Sequence, residues 1–395
     1  MGSTYRLADV AAIAGVGSTA FGRFPQRGPI GLAVEALKQA LADATLTRDD
    51  VDGLVIHMGN PVGIDYDQFA AMTGLRTTFN VQLWTHGRWI GAALEQAAAA
   101  VALGLARCVA VVCAAKFSVL SQLGGAEDVE ASREGGGSHG EAPHIGLMAP
   151  GSGAAMSARI YLERYGVTET DLAAVAIAAR QAARRNPAAW RTEPLDVDTY
   201  LASRYIIAPL RVHDFAQVTD GACAVLVMRR EEALDRTPAP VTIRATQSLP
   251  AGPDEFIFGR GGLGRGQEPM SAHRPAPRDL EIYARAGVDR KEIDALYTYD
   301  AFSPLVWFTL ERFGFCGEGE AAAFCVGGGI AMDGPLPVNT NGGLLAEGHV
   351  AGWNSVVEMV RQIRGACGER QLSRAENLQW ATAFGDSFVL SARAR

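Results

Sequence analysis

The sequence predicts an α/β protein built from two duplicated halves, and three observations carry that reading. First, Leu46-Thr47-Arg48-Asp49-Asp50-Val51-Asp52-Gly53-Leu54-Val55-Ile56-His57 has a counterpart in Val288-Asp289-Arg290-Lys291-Glu292-Ile293-Asp294-Ala295-Leu296-Tyr297-Thr298-Tyr299. Second, each copy follows an alanine-rich amphipathic segment (Ile30 to Ala44; Asp279 to Ala286) and leads into a short apolar run. Helix, acidic turn and buried strand therefore recur as one unit. Third, 395 residues exceed one ordinary domain, and 48% hydrophobic with 20% charged residues suits a well-cored chain. The halves are expected at 1–237, including a loop region at about 115–205, and at 238–395, with Pro238 and Pro240 at the seam.

Along the first half, Gly91 to Leu103 carries small residues on nearly every face, which predicts a helix buried all round. The run Cys108-Val109-Ala110-Val111-Val112-Cys113 then reads as a fully buried strand. Gly124 to Pro150 is rich in Gly, Ser, Glu and His without periodicity, so a long functional loop is expected there. Its His139 and His144 are expected to be solvated. Helices are predicted over Ser152 to Tyr165 and Thr168 to Asn186, the second opened by the cap-like Thr168-Glu169-Thr170-Asp171. Val218 to Met228 reads as another buried strand, and Gly259 to Gly266 as a surface loop.

Composition removes several function classes. A net charge of −7 and a pI near 5.6 argue against nucleic acid or an anionic membrane as the main partner. Lys38, Lys116 and Lys291 are the only lysines, a bias read as base composition of the gene. The first residues lack a basic segment followed by an apolar core, and Arg107 interrupts the longest small-apolar run, Ala97 to Ala115. A cytoplasmic protein is expected. Cys108, Cys113, Cys223, Cys316, Cys325 and Cys367 form no Cys-x-x-Cys pair and have no histidine at zinc spacing. Reduced core thiols and no structural metal are expected.

The chemistry-bearing run lies in the last third: Asn339-Thr340-Asn341-Gly342-Gly343-Leu344-Leu345-Ala346-Glu347-Gly348-His349. It resembles the Asn-x-Asn-Gly-Gly…Gly-His loop of the thiolase superfamily, where the histidine does acid/base work on an acyl-CoA. Tyr165-Gly166-Val167-Thr168, Arg184-Arg185-Asn186-Pro187, Ala208-Pro209-Leu210-Arg211 and Asp220-Gly221-Ala222-Cys223-Ala224-Val225 are similar, in order and spacing, to lipid-transfer-protein-like thiolases. These are relatives of the sterol carrier protein x thiolase. The resemblance implies a five-layered αβαβα thiolase fold, two stacked mixed sheets around paired buried helices, and a homodimer.

The nucleophilic cysteine of that family falls at Gly87, within Trp84-Thr85-His86-Gly87-Arg88-Trp89-Ile90-Gly91, where no cysteine stands. The second family cysteine is replaced within Ala381-Thr382-Ala383-Phe384-Gly385-Asp386. Ordinary thiolysis is thereby disfavoured. Cysteine-less members resemble aldolases of steroid side-chain breakdown, with tyrosines at two catalytic loops and a small zinc-ribbon/OB-fold acyl-CoA-binding partner. Here Tyr299-Asp300-Ala301-Phe302 supplies a tyrosine at the first loop, while His349 stands at the second. That departure leaves open which group is acid and which is base.

Retro-aldol cleavage of a β-hydroxyacyl thioester needs a base for the β-hydroxyl, donors for the enolate and an acid for Cα. A histidine titrates near about 6.5 and a tyrosine near about 10, which makes Tyr299 and His349 the expected acid/base pair, with a packed tyrosine as the plain alternative for Tyr299. Backbone N–H groups near Gly87 or Gly385 are candidates for an oxyanion hole, each donor contributing about 3–4 kcal/mol. His86 either lines the pocket or caps a turn; Asp300 binds substrate or orients backbone. Gly348 and Ser152, the latter in a helix start near the coenzyme A arm or an ordinary Pro-Gly turn, complete the candidates. The Val326-Gly327-Gly328-Gly329 run lacks the context of a dinucleotide loop. Coenzyme A enters as the substrate thioester, with no covalently bound cofactor expected. A retro-aldol carbon–carbon lyase is the leading reading; a partner-dependent Claisen-type acyltransferase and a silent acyl-CoA- or lipid-binding subunit are the alternatives.

Overall fold

The computed structural model describes residues 5–59, 62–83, 89–119, 150–251 and 277–394. The expectations for His86, Gly87, His139, His144, for 124–149 and for 259–266 lie outside the described residues.

The first part of the chain runs β1 (Ala11–Ser18), α1 (Pro29–Ala44), β2 (Gly53–His57), α2 (Tyr66–Thr73), β3 (Phe79–Leu83), α3 (Ile90–Ala102) and β4 (Cys108–Lys116). Next come α4 (Pro150–Tyr165), α5 (Glu169–Ala183), α6 (Val197–Ala202), the small β5 (Tyr205–Ile207) and β6 (Leu210–Arg211) pair, β7 (Asp220–Arg229) and α7 (Arg230–Arg236). After Pro240 follow β8 (Val241–Gln247), α8 (Pro277–Ala286), β9 (Ala295–Tyr297), α9 (Pro304–Arg312), α10 (Ala321–Val326), α11 (Gly343–Ala346), α12 (Trp353–Ile363), β10 (Asn377–Ala381) and β11 (Ser387–Ser391).

Nine strands form one ladder in the order β3-β2-β4-β7-β1-β8-β11-β10-β9. Its centre is a line of symmetry. From β2 inward the pairings are parallel, antiparallel, antiparallel, and from β9 inward they are the same. The two copies of the sequence repeat occupy equivalent places: each closes a helix, forms a 3-10 turn with a capping box (Thr47 with Asp50; Asp289 with Glu292) and enters β2 or β9. The two sets of strands meet at a narrow seam where, among the described residues, Ala11, Ala12 and Ile13 of β1 pair with β8.

Layering follows from burial on both faces of the strands. In β1, Ala12 and Ala14 pack toward α1, while Ala11 and Ile13 face the central core. β4 alternates in the same way, so its continuous apolar run marks a strand with no solvent face. The inner layer is α3 and α12, which pack against strands of both sets; α1 covers the outer face of the first set and α8 that of the second. Helix α3 buries Ile90, Gly91, Ala92, Ala93, Leu94, Ala97, Ala98, Ala100 and Val101, as its small-residue composition predicts. All six cysteines are buried free thiols. No helix among the described residues is long and apolar enough to cross a membrane.

Candidate active site

The site is assembled at the C-terminal end of β9. Tyr299 lies two residues beyond that strand, in the loop before α9. Residues 337–339 run alongside β9, with Leu296 N–H donating to Pro337 O at 2.9 Å and Asn339 N–H donating to Leu296 O at 3.0 Å. This short parallel addition delivers the histidine loop next to Tyr299. The Asn339 side chain completes it, accepting from Thr298 N–H at 2.9 Å and donating to Thr298 O at 3.1 Å.

The loop then turns through left-handed backbone at Asn339 (φ 48°), Gly342 (φ 99°) and Gly343 (φ 60°), conformations that asparagine and glycine tolerate. Asp300 explains the second glycine. Its Oδ1 accepts Leu344 N–H at 2.8 Å, and a Cβ on Gly343 would stand 2.1 Å from its Oδ2. Asp300 is 1% exposed, and burial pushes its pKa up to about 6. Its carboxylate is thus turned onto the α11 backbone and closed to solvent, which separates it from direct substrate binding.

Beyond α11, Glu347 is buried among three amides. Asn186 donates to its Oε1 at 2.7 Å, Asn354 to its Oε2 at 2.8 Å, and Asn341 also donates to Oε2. Burial pushes its pKa up to about 7. Gly348 packs on Phe21 so closely that a Cβ would meet the Phe21 Cβ at 2.6 Å, which gives this glycine a packing role.

His349 comes next. Its N–H donates to Thr219 Oγ1 at 2.8 Å, its ring stacks on Phe117 (centroids 4.3 Å apart, 14° between planes), and its Nε2 is 3.4 Å from Tyr299 Oη. Desolvation pushes its pKa down to about 4, although one part of the residue stays open to solvent and works against that shift. Tyr299 is 9% exposed, and its ring also faces Phe384 at 6.3 Å. The Tyr299 hydroxyl and an uncharged imidazole therefore meet at a partly open, aromatic-walled site.

The other candidates fall differently. Gly385 has φ 99°, and its N–H is already donated to Thr382 O at 2.9 Å, so it corrects the expectation of a free oxyanion donor there. Its neighbour Asp386 accepts Gly91 N–H at 3.1 Å at the start of α3 and Trp380 Nε1–H at 3.1 Å, with its pKa pushed up to about 6 by burial. Ser152 is buried in the first turn of α4, and no hydrogen bond among the described residues joins it to the Tyr299–His349 pair. Among the described residues no group of His, Cys, Asp and Glu is arranged to hold a metal ion. Phe117, Thr219, Glu347 and Asp386 were missed in the sequence. Only Glu347 left a signal, a carboxylate inside an otherwise small and apolar run.

Comparison with known proteins shows the family. Residues 278–392 match the thiolase C-terminal domain-like family. The 17-hydroxy-3-oxo-4-pregnene-20-carboxyl-CoA lyase of Mycobacterium tuberculosis is 34% identical over 374 residues, covering 91% of this chain and 92% of that protein. The steroid side-chain-cleaving aldolase of Thermomonospora curvata is 34% identical over 384 residues, covering 91% of each. The solved Ltp2-ChsH2(DUF35) aldolase superposes with a TM-score of 0.84 at 30% identity, covering 98% of each chain. The chain belongs to the thiolase superfamily, in its aldolase-like branch.

Proposed function

We propose that this chain is an acyl-CoA carbon–carbon lyase that cleaves a β-hydroxyacyl-CoA by retro-aldol chemistry without an acyl-enzyme. The observation that carries this reading is the Tyr299 Oη to His349 Nε2 approach of 3.4 Å, in a chain with no cysteine over 82–95. His349 is the base. Its depressed pKa keeps it uncharged at neutral pH, so Nε2 can take the β-hydroxyl proton. The β-oxygen becomes a carbonyl, the Cα–Cβ bond breaks, and its electron pair enters the thioester enolate. Tyr299 then gives its proton to Cα, and the imidazolium returns a proton to the tyrosinate across the same contact. The products are a ketone or aldehyde and a shortened acyl-CoA, and the enzyme is restored with no external reductant or oxidant.

Substrate class follows from the relatives and from the walls of the site. The two curated relatives are named for a pregnene carboxyl-CoA and a steroid side chain. The aromatic faces of Phe117 and Phe384 beside the pair support an apolar, bulky β-substituent. A steroid or comparable acyl-CoA is therefore the substrate of this reading. Asp300 and Gly348 shape the loop, and the absence of a cysteine over 82–95 supports a cleavage without an acyl-enzyme.

The same reading places the enzyme in the cytoplasm as a homodimer, divided at 237/238 into two related halves, and joined by a small zinc-ribbon/OB-fold acyl-CoA-binding protein. The name of the Ltp2-ChsH2(DUF35) aldolase, a complex, supports such a partner. The test is product analysis by mass spectrometry on a panel of β-hydroxyacyl-CoAs, with and without that partner. Release of a carbonyl compound and a shortened acyl-CoA is expected. Tight thioester binding by the complex with no cleavage of any panel member would replace the lyase with a carrier.

A further inference from the structure

We propose that Phe117 is a positioning residue for the cleavage step: it holds the His349 ring flat, aims Nε2 at Tyr299 and shields the imidazole from water. The inference rests on His349 acting as the base. Three features of the structure support it.

The first is the stack itself, nearly parallel at 14° and 4.3 Å. A histidine ring can otherwise turn about χ1 and χ2, and a parallel face on one side removes much of that freedom. The second is how Phe117 is held. It follows directly on β4, opening a 3-10 turn, and both flanking residues are fixed on one buried carboxylate. Ser118 donates to Asp220 through its N–H at 2.9 Å and its hydroxyl at 2.8 Å, while Lys116 Nζ lies 3.4 Å from Asp220 Oδ2. Lys116 Nζ also donates to Phe24 O and Arg27 O, each at 2.8 Å. These bonds fix the backbone on either side of Phe117, so the point from which its ring reaches His349 is set by the frame.

The third feature is the other half of the clamp. Thr219, the residue before Asp220, accepts the N–H of His349. Two consecutive residues at the start of β7 therefore hold both partners, Thr219 the imidazole's backbone and Asp220 the ring that covers it. Among the described residues, the titratable and charged groups around His349 are Tyr299 in front, the Lys116–Asp220 pair behind Phe117, and Glu347, whose carboxylate is turned onto Asn186, Asn341 and Asn354. Desolvation alone accounts for the direction in which His349 is shifted. Removing the aromatic cover should therefore be felt as rehydration of the ring.

The experiment compares Phe117→Leu, Phe117→Tyr and His349→Ala in the complete complex, by turnover and by NMR titration of the His349 ring in the free enzyme. Phe117→Leu is expected to lower kcat about tenfold, the scale of one lost stacking contact, with KM within about twofold. The His349 titration should move up toward about 6.5, and Phe117→Tyr should restore both readouts. A folded Phe117→Leu with kcat and titration unchanged would overturn the inference. So would a loss of kcat with the titration unmoved, which would mark Phe117 as packing only. An unchanged rate in His349→Ala would instead overturn the proposed base and leave the titration result standing on its own.

Discussion

Replacing Gly343 with alanine probes how the histidine loop is held, and the structure sets the size of the effect. At φ 60° the backbone is left-handed, which costs an alanine about 1–2 kcal/mol. The new Cβ would stand 2.1 Å from Asp300 Oδ2 and 2.7 Å from Asn339 Nδ2, so the buried carboxylate has to move. Moving it sacrifices the hydrogen bond from Leu344 N–H at 2.8 Å, a charged bond of about 1.5–3 kcal/mol. Together these come to about 2.5–5 kcal/mol of folding stability. A loop displaced by about 1 Å should also cost about 100-fold in kcat/KM, because His349 sits at its far end. Urea unfolding and steady-state kinetics read the two effects. Gly31→Ala is the control: a Cβ there meets nothing within 4 Å, and in helix α1 it should be neutral or gain about 0.5–1 kcal/mol. A Gly343→Ala protein within about 1 kcal/mol of the parent and fully active would refute the Asp300 buttress.

Other outcomes follow from the same contacts. His349, with its pKa near 4, should leave kcat/KM flat from pH 8 down to about pH 5; an acid limb near about 6.5 would show an ordinary, solvated imidazole. Glu347 is raised from 4.5 to about 7, so the folded state holds the extra proton in between: its stabilising contribution is full below 4.5 and is lost as pH rises through about 7. Glu347→Gln should therefore shrink the fall in melting temperature between pH 5.5 and pH 8, and an unchanged fall would remove Glu347 as its source. Arg312 and Asp279 are each 2% exposed and doubly hydrogen-bonded, so Arg312→Met should cost about 3–5 kcal/mol in urea unfolding by leaving the buried carboxylate the looser Arg278 contact at 3.7 Å; a loss below about 1 kcal/mol would contradict that burial.

What was legible in the sequence was local. The capping boxes at Thr47 and Asp289 and the helices before them are short-range patterns, so the duplication could be read before any strand order was known. The Asn-x-Asn-Gly-Gly run carries its own backbone geometry, because Asn339, Gly342 and Gly343 are residue types suited to positive φ. What escaped was long-range. Phe117 and His349 share no local pattern and meet only because β4 ends beside β7. Glu347 gathers Asn186 and Asn354 from separate helical regions, which spacing does not encode. Gly385 looked like a free backbone donor by its position, and the tight turn with Thr382 consumes its N–H. The seam between β1 and β8 also had no signature, since three paired residues at a strand end look like any other apolar run.

The coupling between Tyr299 and His349 is best measured by a double-mutant cycle on kcat/KM in the complete complex: Tyr299→Phe, His349→Ala and the two together. If one proton cycle runs through the 3.4 Å contact, either single change stops it, and the double variant should be about as slow as the slower single one. Losses that multiply would mean two groups acting independently, and full activity in the double variant would remove both from the chemistry.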